Sequence, residues 1–347
     1  MKILALETTC DETAAAIVES ADSAGSPVAV LAGVVASQTD LHLEFKGVVP
    51  EIAARAHVER ILPVIHRTVE QAGVPLSELD AVAVANTPGL SGSLLVGLMA
   101  AKSLCLALDK PLIAVNHLQA HIYACQLDNE DSIYPSVGMI VSGGHSHLYR
   151  FDDAIHAHYL GGTIDDAAGE AFDKVAAMLG LGYPGGPAVS RVAEQGDETA
   201  WAFPRSFIHE DRLDFSFSGL KTAVRYAIAG PGKTSLEGVV LDSKQTADLA
   251  ASFQAAVVDC LVSKAMQAIQ QTGLQQLCVG GGVAANRRFR QQLTDACQDA
   301  EVKLYIAPLK FCTDNAVMGA IAIERYRAGL FESLDLDINP GLVRVSR

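Results

Sequence analysis

The chain has 347 residues, half of them hydrophobic, which is more than one small core requires and points to two lobes. It lacks a run of about 18 uncharged apolar residues, so no membrane span is expected. A net charge of −14 argues against a general nucleic-acid binder, and seven scattered cysteines without a C-x-x-C argue against a disulfide or structural zinc framework.

The opening MKILALETTC reads straight into a strand, with no basic n-region and no cleavage site. A secretory signal is therefore not expected, and with the cysteine usage the location reads as cytoplasmic. KILALET and AAAIVES form a strand pair around the polar link TCDET, and VAVLAGVVAS (28–37) is a third strand. A helix is predicted over 50–73, opened by Pro50, closed by Gly73 and interrupted by Pro63. LDAVAVAN (79–86) is a buried strand, and TPGLSGSLLVGLMAAKSLCLAL is a glycine turn running into a helix. After the strand PLIAV (111–115), Asn116 is the N-cap of a helix bearing His117 and His121.

From about Tyr134 the pattern starts again. VGMIVSGGHSHLYRF repeats the strand, tight turn, strand form of the N-terminus, which suggests two lobes built alike. A helix over 164–181, the turn GYPGGP (182–187) and a long helix over 245–273 follow. QLCVGGGVAANRRFRQQL then reads as strand, glycine turn and helix. The class is α/β. The division expected is 1–130 for the first lobe, 131–313 for the second, a helix near 314–329 returning to the first, and a tail over 330–347.

His117 and His121 stand four apart, so both rings can share one helix face and one metal. A structural pair is the plainer alternative. A metalloprotease H-E-x-x-H helix has the same spacing but needs glutamate where this chain has Leu118. The start of a helix should also favour neutral imidazoles. SGGH (142–145) and VGGGVAAN (279–286) are glycine turns after strands, suited to main-chain contact with a phosphate, or else ordinary turns. GPGKTS (230–235) lacks the first glycine of a P-loop, since position 227 is Ala, and reads as an exposed loop. Asp11 and Glu12 sit in the N-terminal link, and Asp314 is explained most simply as a helix cap. Arg287, Arg288 and Arg290 could form a local basic groove for RNA.

Together and in this order, ETTCDET, GVVPEIAARAH, NHLQAH, SGGH, IDDAAGEAFDKVA, YPGGP, DFSFSGLKTAV, GGGVAANR and CTDNAVMGA resemble the motifs of one family over roughly residues 1–330. This is the bacterial TsaD family of tRNA adenosine N6-threonylcarbamoyltransferases, formerly termed glycoproteases. The resemblance implies an actin/Hsp70/sugar-kinase-like fold of two similar lobes, each a mixed sheet flanked by helices, with the active site in the interlobe cleft. It implies transfer of threonylcarbamoyl from threonylcarbamoyl-adenylate to N6 of adenosine 37 in tRNAs reading codons that begin with A. It further implies one divalent metal per subunit, iron(II) ahead of zinc, on His117, His121 and Asp314. Substrate contacts fall on Ile140, Val141, Ser142, Gly143, Gly144, Asp173, Gly186 and Asn286, and catalytic roles on Asp11, Glu12 and His145. The partners implied are tRNA and TsaB-like and TsaE-like proteins, without a membrane. Asn116, Gln119 and Ala120 depart from the His, Glu and Gly common in the family, while the ligand positions are intact. A metalloendopeptidase, a non-catalytic nucleotide-binding scaffold and an ATP-driven chaperone or sugar kinase of this fold are the alternatives.

Overall fold

The computed structural model describes residues 1–341 except 24, 46, 231, 232 and 234. In chain order the elements are β1 (Lys2–Glu7), β2 (Glu12–Glu19), β3 (Ala29–Ser37), α1 (Thr39–His42), α2 (Pro50–Ala72), β4 (Ala81–Thr87), α3 (Ser91–Leu108), β5 (Leu112–Asn116) and α4 (His117–Tyr123). There follow β6 (Ser136–Val141), β7 (Ser146–Phe151), β8 (Ala157–Gly162), α5 (Ala168–Met178), α6 (Gly185–Ala193), α7 (Ser218–Ala229) and α8 (Ser243–Thr272). The last are β9 (Gln276–Gly280), α9 (Arg287–Asp299), β10 (Lys303–Ile306) and α10 (Ala322–Arg327). Backbone contacts divide the chain into two compact units. The first is Met1–Tyr134, Phe151–Ala157 and the chain from Ala307 onward; the second is Pro135–Arg150 and His158–Ile306.

The first unit holds a sheet in the order β3-β2-β1-β4-β5. β1 and β2 pair antiparallel from Lys2↔Glu19 to Glu7↔Ala14, which leaves Thr8–Asp11 as the tight link between them. β1, β4 and β5 run parallel, so Glu7, Thr87 and Asn116 finish at one edge of the sheet. Parallel strands buried on both faces read as continuous apolar runs, which is what ILAL (3–6) and AVAVA (81–85) are. Helix α2 turns Ala53, Ala56, His57, Ile61, Val64, Ile65 and Thr68 to the sheet, at helical spacing. Their partners include Leu4, Leu6, Ile17, Val82 and Val84, with Leu98 from α3.

The second unit's sheet is ordered β10-β9-β6-β7-β8. From its other end this is the same arrangement: three successive strands, then two later ones. β6, β9 and β10 are parallel, as β1, β4 and β5 are. The internal likeness suggested by the two strand–turn–strand motifs is therefore one of topology.

Several local expectations need correction. Pro63 does not interrupt α2, which runs unbroken for 23 residues. Pro63 is exposed, as is Glu59, whose carbonyl lacks the usual N–H partner and faces the solvent side. The turn predicted over 182–187 is shorter, because Gly185 already opens α6. The helix expected over 314–329 begins as a 3-10 turn, Ala316–Ile321, before α10. The chain beyond it lies on the first unit: Leu336 and Ile338 pack on its core, and Asn339 N–H donates to Asn86 O. The GPGKTS loop falls partly outside the described residues, at 231, 232 and 234.

By length and composition alone α3 and α8 are apolar enough to cross a membrane, although α3 carries Lys102. α8 is mostly buried as the central helix of the second unit, while about a third of α3 is buried.

Candidate metal centre and nucleotide turns

The parallel strand β5 ends at Asn116, whose side-chain oxygen accepts the N–H groups of Leu118 and Gln119 and so starts α4. One helical turn then sets His117 and His121 side by side, their ring centroids 4.6 Å apart. Asp314 comes from the loop ahead of the last 3-10 turn. The cap of that turn is Asn315, which accepts Met318 N–H, so the capping role expected for Asp314 belongs to its neighbour. Asp314 instead directs Oδ1 at both rings, 3.5 Å from His117 Nε2 and 3.2 Å from His121 Nε2. One ligand atom from each of the three side chains lies within 4.8 Å of the others. Two imidazole nitrogens and a carboxylate oxygen suit a divalent transition metal, with positions left for other ligands. Leu118 is buried and supplies no base, so the peptidase alternative gains no support.

The cluster is electrostatically tight. Burial disfavours a charge on His117, but the carboxylates of Glu7 and Asp314 outweigh it and hold the imidazole up at about 9. His121 goes the other way, lowered by burial despite its hydrogen bond to Asp314. At His117 the carboxylates therefore count for more than the helix end, and a metal on Nε2 would compete with the proton they hold.

Asp11 and Glu12 lie at the link between β1 and β2. Glu12 accepts a hydrogen bond from Ser37 Oγ, yet burial and then the charges of Asp11 and Asp314 push its carboxyl up to about 9. Burial and the same acids raise the neighbouring Cys10 thiol well above its ordinary value. The link is fixed from two helices. Ser93 of α3 donates to Cys10 O, Thr8 donates to Ser93 O, and Leu90 N–H donates to Thr9 O. From α2, His57 Nε2 meets Cys10 O at 3.0 Å and its Nδ1 meets Thr13 Oγ1 at 2.8 Å. Burial lowers the His57 pKa, so the ring is neutral, with Nε2–H donating and Nδ1 accepting. Sequence reasoning missed this role, though the signal was present: a histidine on the apolar face of an amphipathic helix needs polar partners.

The second unit gathers the glycine turns. Ser142 N–H closes the SGGH turn on His145 O at 2.7 Å. Gly143 and Gly144 are exposed at its tip, and His145 is half-buried behind them. Ile140 and Val141 are fully buried, so only their main chain can meet a substrate. Gly281, with φ at +96°, lies so close to the Val141 carbonyl that a Cβ would collide with it. On α5, Gly169 N–H donates to Ser142 O, and Asp173 accepts Gly185 N–H at the start of α6. Gly186 follows, with open space around its Cα. Asn286 caps α9 through Phe289 N–H and donates to Ser190 Oγ and Gln254 Oε1. Its side chain therefore ties three helices together.

The three arginines expected to form a local basic groove have the following partners. Arg287 faces Glu194, Arg288 pairs with Glu198, and Arg290 donates to Ala284 O.

A family model described as TsaD, tRNA N6-adenosine threonylcarbamoyltransferase, matches residues 29–321. Proteins named tRNA N6-adenosine threonylcarbamoyltransferase from Rhodopirellula baltica and Symbiobacterium thermophilum are 56% and 49% identical to this chain. The matches cover 99% and 98% of this chain and 97% and 96% of theirs. Among solved structures, full-length HypF in its phosphate- and nucleotide-bound form gives a TM-score of 0.59 at 16% identity, over 96% of this chain and 47% of that one. The activator of 2-hydroxyisocaproyl-CoA dehydratase from Clostridium difficile gives 0.52 at 12% identity, over 95% and 96%. At such identities the likeness is one of fold alone. With residues 29–321 matched and near full-length relatives at about half identity, the chain belongs to the TsaD family of tRNA N6-adenosine threonylcarbamoyltransferases.

Proposed function

We propose that this protein transfers the threonylcarbamoyl group from threonylcarbamoyl-adenylate to N6 of adenosine 37 in tRNAs reading codons that begin with A, forming t6A. The observation that carries the proposal is the convergence of His117 Nε2, His121 Nε2 and Asp314 Oδ1 in a chain of this family, with Leu118 where a metalloprotease helix has its glutamate. These three residues would hold one divalent metal, iron(II) ahead of zinc. Once bound, the metal would act as a Lewis acid that offsets charge on the phosphate of the leaving AMP.

The remaining work falls to the chain itself. The N6 amine is a weak nucleophile, because its lone pair is delocalised into the adenine ring. As it attacks the carbamoyl carbon, a C–N bond forms, the bond to the phosphate oxygen breaks, and N6 must lose a proton. Burial and the neighbouring acids push Glu12 up to about 9, which favours its protonated form and makes it the poorer base of the pair. We therefore assign the base to Asp11, held in place by the contacts of Cys10 with Ser93 and His57. In the second unit, main-chain N–H groups at Gly143, Gly144 and Gly186 would bind the adenylate and help to carry developing charge, with His145 behind the first turn. Asp173 and Asn286 hold those turns in shape. TsaB-like and TsaE-like proteins as partners, and a cytoplasmic location, complete the reading.

The test is reconstitution: metal-loaded protein, partners, adenylate donor and unmodified tRNA, with mass spectrometry of the anticodon-loop nucleosides. The proposal expects t6A with the wild type and none with Asp314→Ala. Absence of t6A from the complete wild-type mixture would overturn it.

A further inference from the structure

The metal reading names three ligands, and one buried carboxylate behind them remains unexplained. Glu7 ends β1 and is 3% exposed. A carboxylate so deeply placed is costly unless hydrogen-bonded and paired. Its Oε1 accepts Thr9 N–H at 2.7 Å, and its Oε2 lies 3.1 Å from His117 Nδ1. Among the described residues its ion partner is His117. Thr9 Oγ1 stands 3.2 Å from the same ring nitrogen. His121 differs: its Nδ1 is buried with no hydrogen-bond partner, so that ring is oriented by packing and by its Nε2 contact with Asp314, with no carboxylate behind it.

Resting on the metal reading above, we propose that Glu7 is a positioning residue for the metal. By accepting Nδ1–H from His117, it selects the tautomer whose Nε2 lone pair points at the ligand cluster, and it makes that nitrogen a better donor. The same carboxylate holds Thr9 N–H, so it also ties the link carrying Asp11 and Glu12 to the first histidine ligand. Glutamine cannot serve both ends. If its oxygen takes Thr9 N–H, its NH2 faces His117 Nδ1 and favours the other tautomer, which places a proton where the metal should be. If its oxygen takes the ring N–H, Thr9 N–H is left against another donor. Aspartate keeps the charge but is one methylene too short to span both partners.

Zinc binding to the full-length protein, measured by competition with a chromophoric chelator, tests the proposal. Glu7→Gln is expected to weaken zinc binding by about 10- to 100-fold while retaining a cooperative thermal transition. Glu7→Asp should fall between it and the wild type. Thr8→Val removes a nearby hydrogen bond to Ser93 O that does not touch His117; it should lower the melting temperature and leave zinc affinity unchanged. In zinc-loaded wild type, NMR of the histidines should show the His117 Nδ1 proton, facing a carboxylate, shifted downfield of the His121 Nδ1 proton, which has no such acceptor; this readout needs no Glu7 variant. Zinc affinity in Glu7→Gln equal to wild type, or equal shifts for the two Nδ1 protons, would overturn the role of Glu7 alone. A wild type that takes up neither zinc nor iron would remove the metal reading and this inference with it.

Discussion

His117 in the first unit and Asn286 in the second stand at similar places. Each follows a parallel strand, directly in the first unit and after the 3-10 turn Gly282–Ala285 in the second, and an asparagine caps the helix that comes next: Asn116 for α4 and Asn286 for α9. What the two units do with that place differs. In the first, the residues beyond the cap turn ionisable side chains toward one another, and Glu7, His117, His121 and Asp314 form one charged cluster. In the second, the polar side chains are taken up by the scaffold. Asp165 accepts from Ser216, Ser218 and two main-chain N–H groups, Asp166 pairs with Lys174 and Lys221, and Asn286 joins α6, α8 and α9. The groups left at its turns are main-chain N–H groups at glycines. One unit is thus built for charge and the other for shape, and substitutions should separate the two.

The largest effect is expected from Asp314→Ala, which removes the carboxylate facing both rings. Metal affinity should fall by at least about 100-fold and t6A formation with it, measured by elemental analysis and nucleoside mass spectrometry. Asp11→Ala should lower transfer by about 10²- to 10⁴-fold with metal content unchanged; retained transfer would remove Asp11 as the base. Gly281→Ala probes the other unit. Its positive φ and its approach to Val141 should cost about 1–3 kcal/mol in thermal unfolding. Adenylate binding should weaken while metal affinity stays the same, and a loss of metal instead would break the division of labour drawn here.

Two smaller effects concern acid. The His57 pKa is lowered in the folded state, so the unfolded chain takes up a proton first as pH falls below about 6.5. Stability should therefore decline with acid from that point, and His57→Gln should flatten the slope in pH-dependent melting curves. Asp165 and Asp166 are depressed below 3.8. Their contribution is present above that value and is lost as pH falls through the folded one. Asp165→Asn should remove part of this loss.

The sequence disclosed much of the fold. Continuous apolar runs marked the parallel strands, Pro50 and Gly73 marked the limits of α2, and Asn116 was legible as a cap. The element boundaries that shifted, at Gly185 and Ala316, lie where glycine-rich or short 3-10 segments carry no periodic signal. Among site residues, the spacing of His117 and His121 was readable because four residues are one helical turn. Asp314 was not, because 193 residues separate it from His121 and spacing says nothing over that distance. Its place in the site came from family resemblance, and local reasoning preferred a cap.

What the sequence by itself determined is therefore whatever a short range of chain can express: helix and strand periods, caps, turns and a pair of rings on one face. Tertiary structure decided which carboxylates meet those rings, that Glu7 stands behind one of them, that burial and charge shift the two rings in opposite directions, and that Arg287 and Arg288 of α9 face glutamates. The physical reason is that local structure follows from backbone geometry over a few residues. Electrostatic character, in contrast, depends on distance and desolvation, and folding sets both.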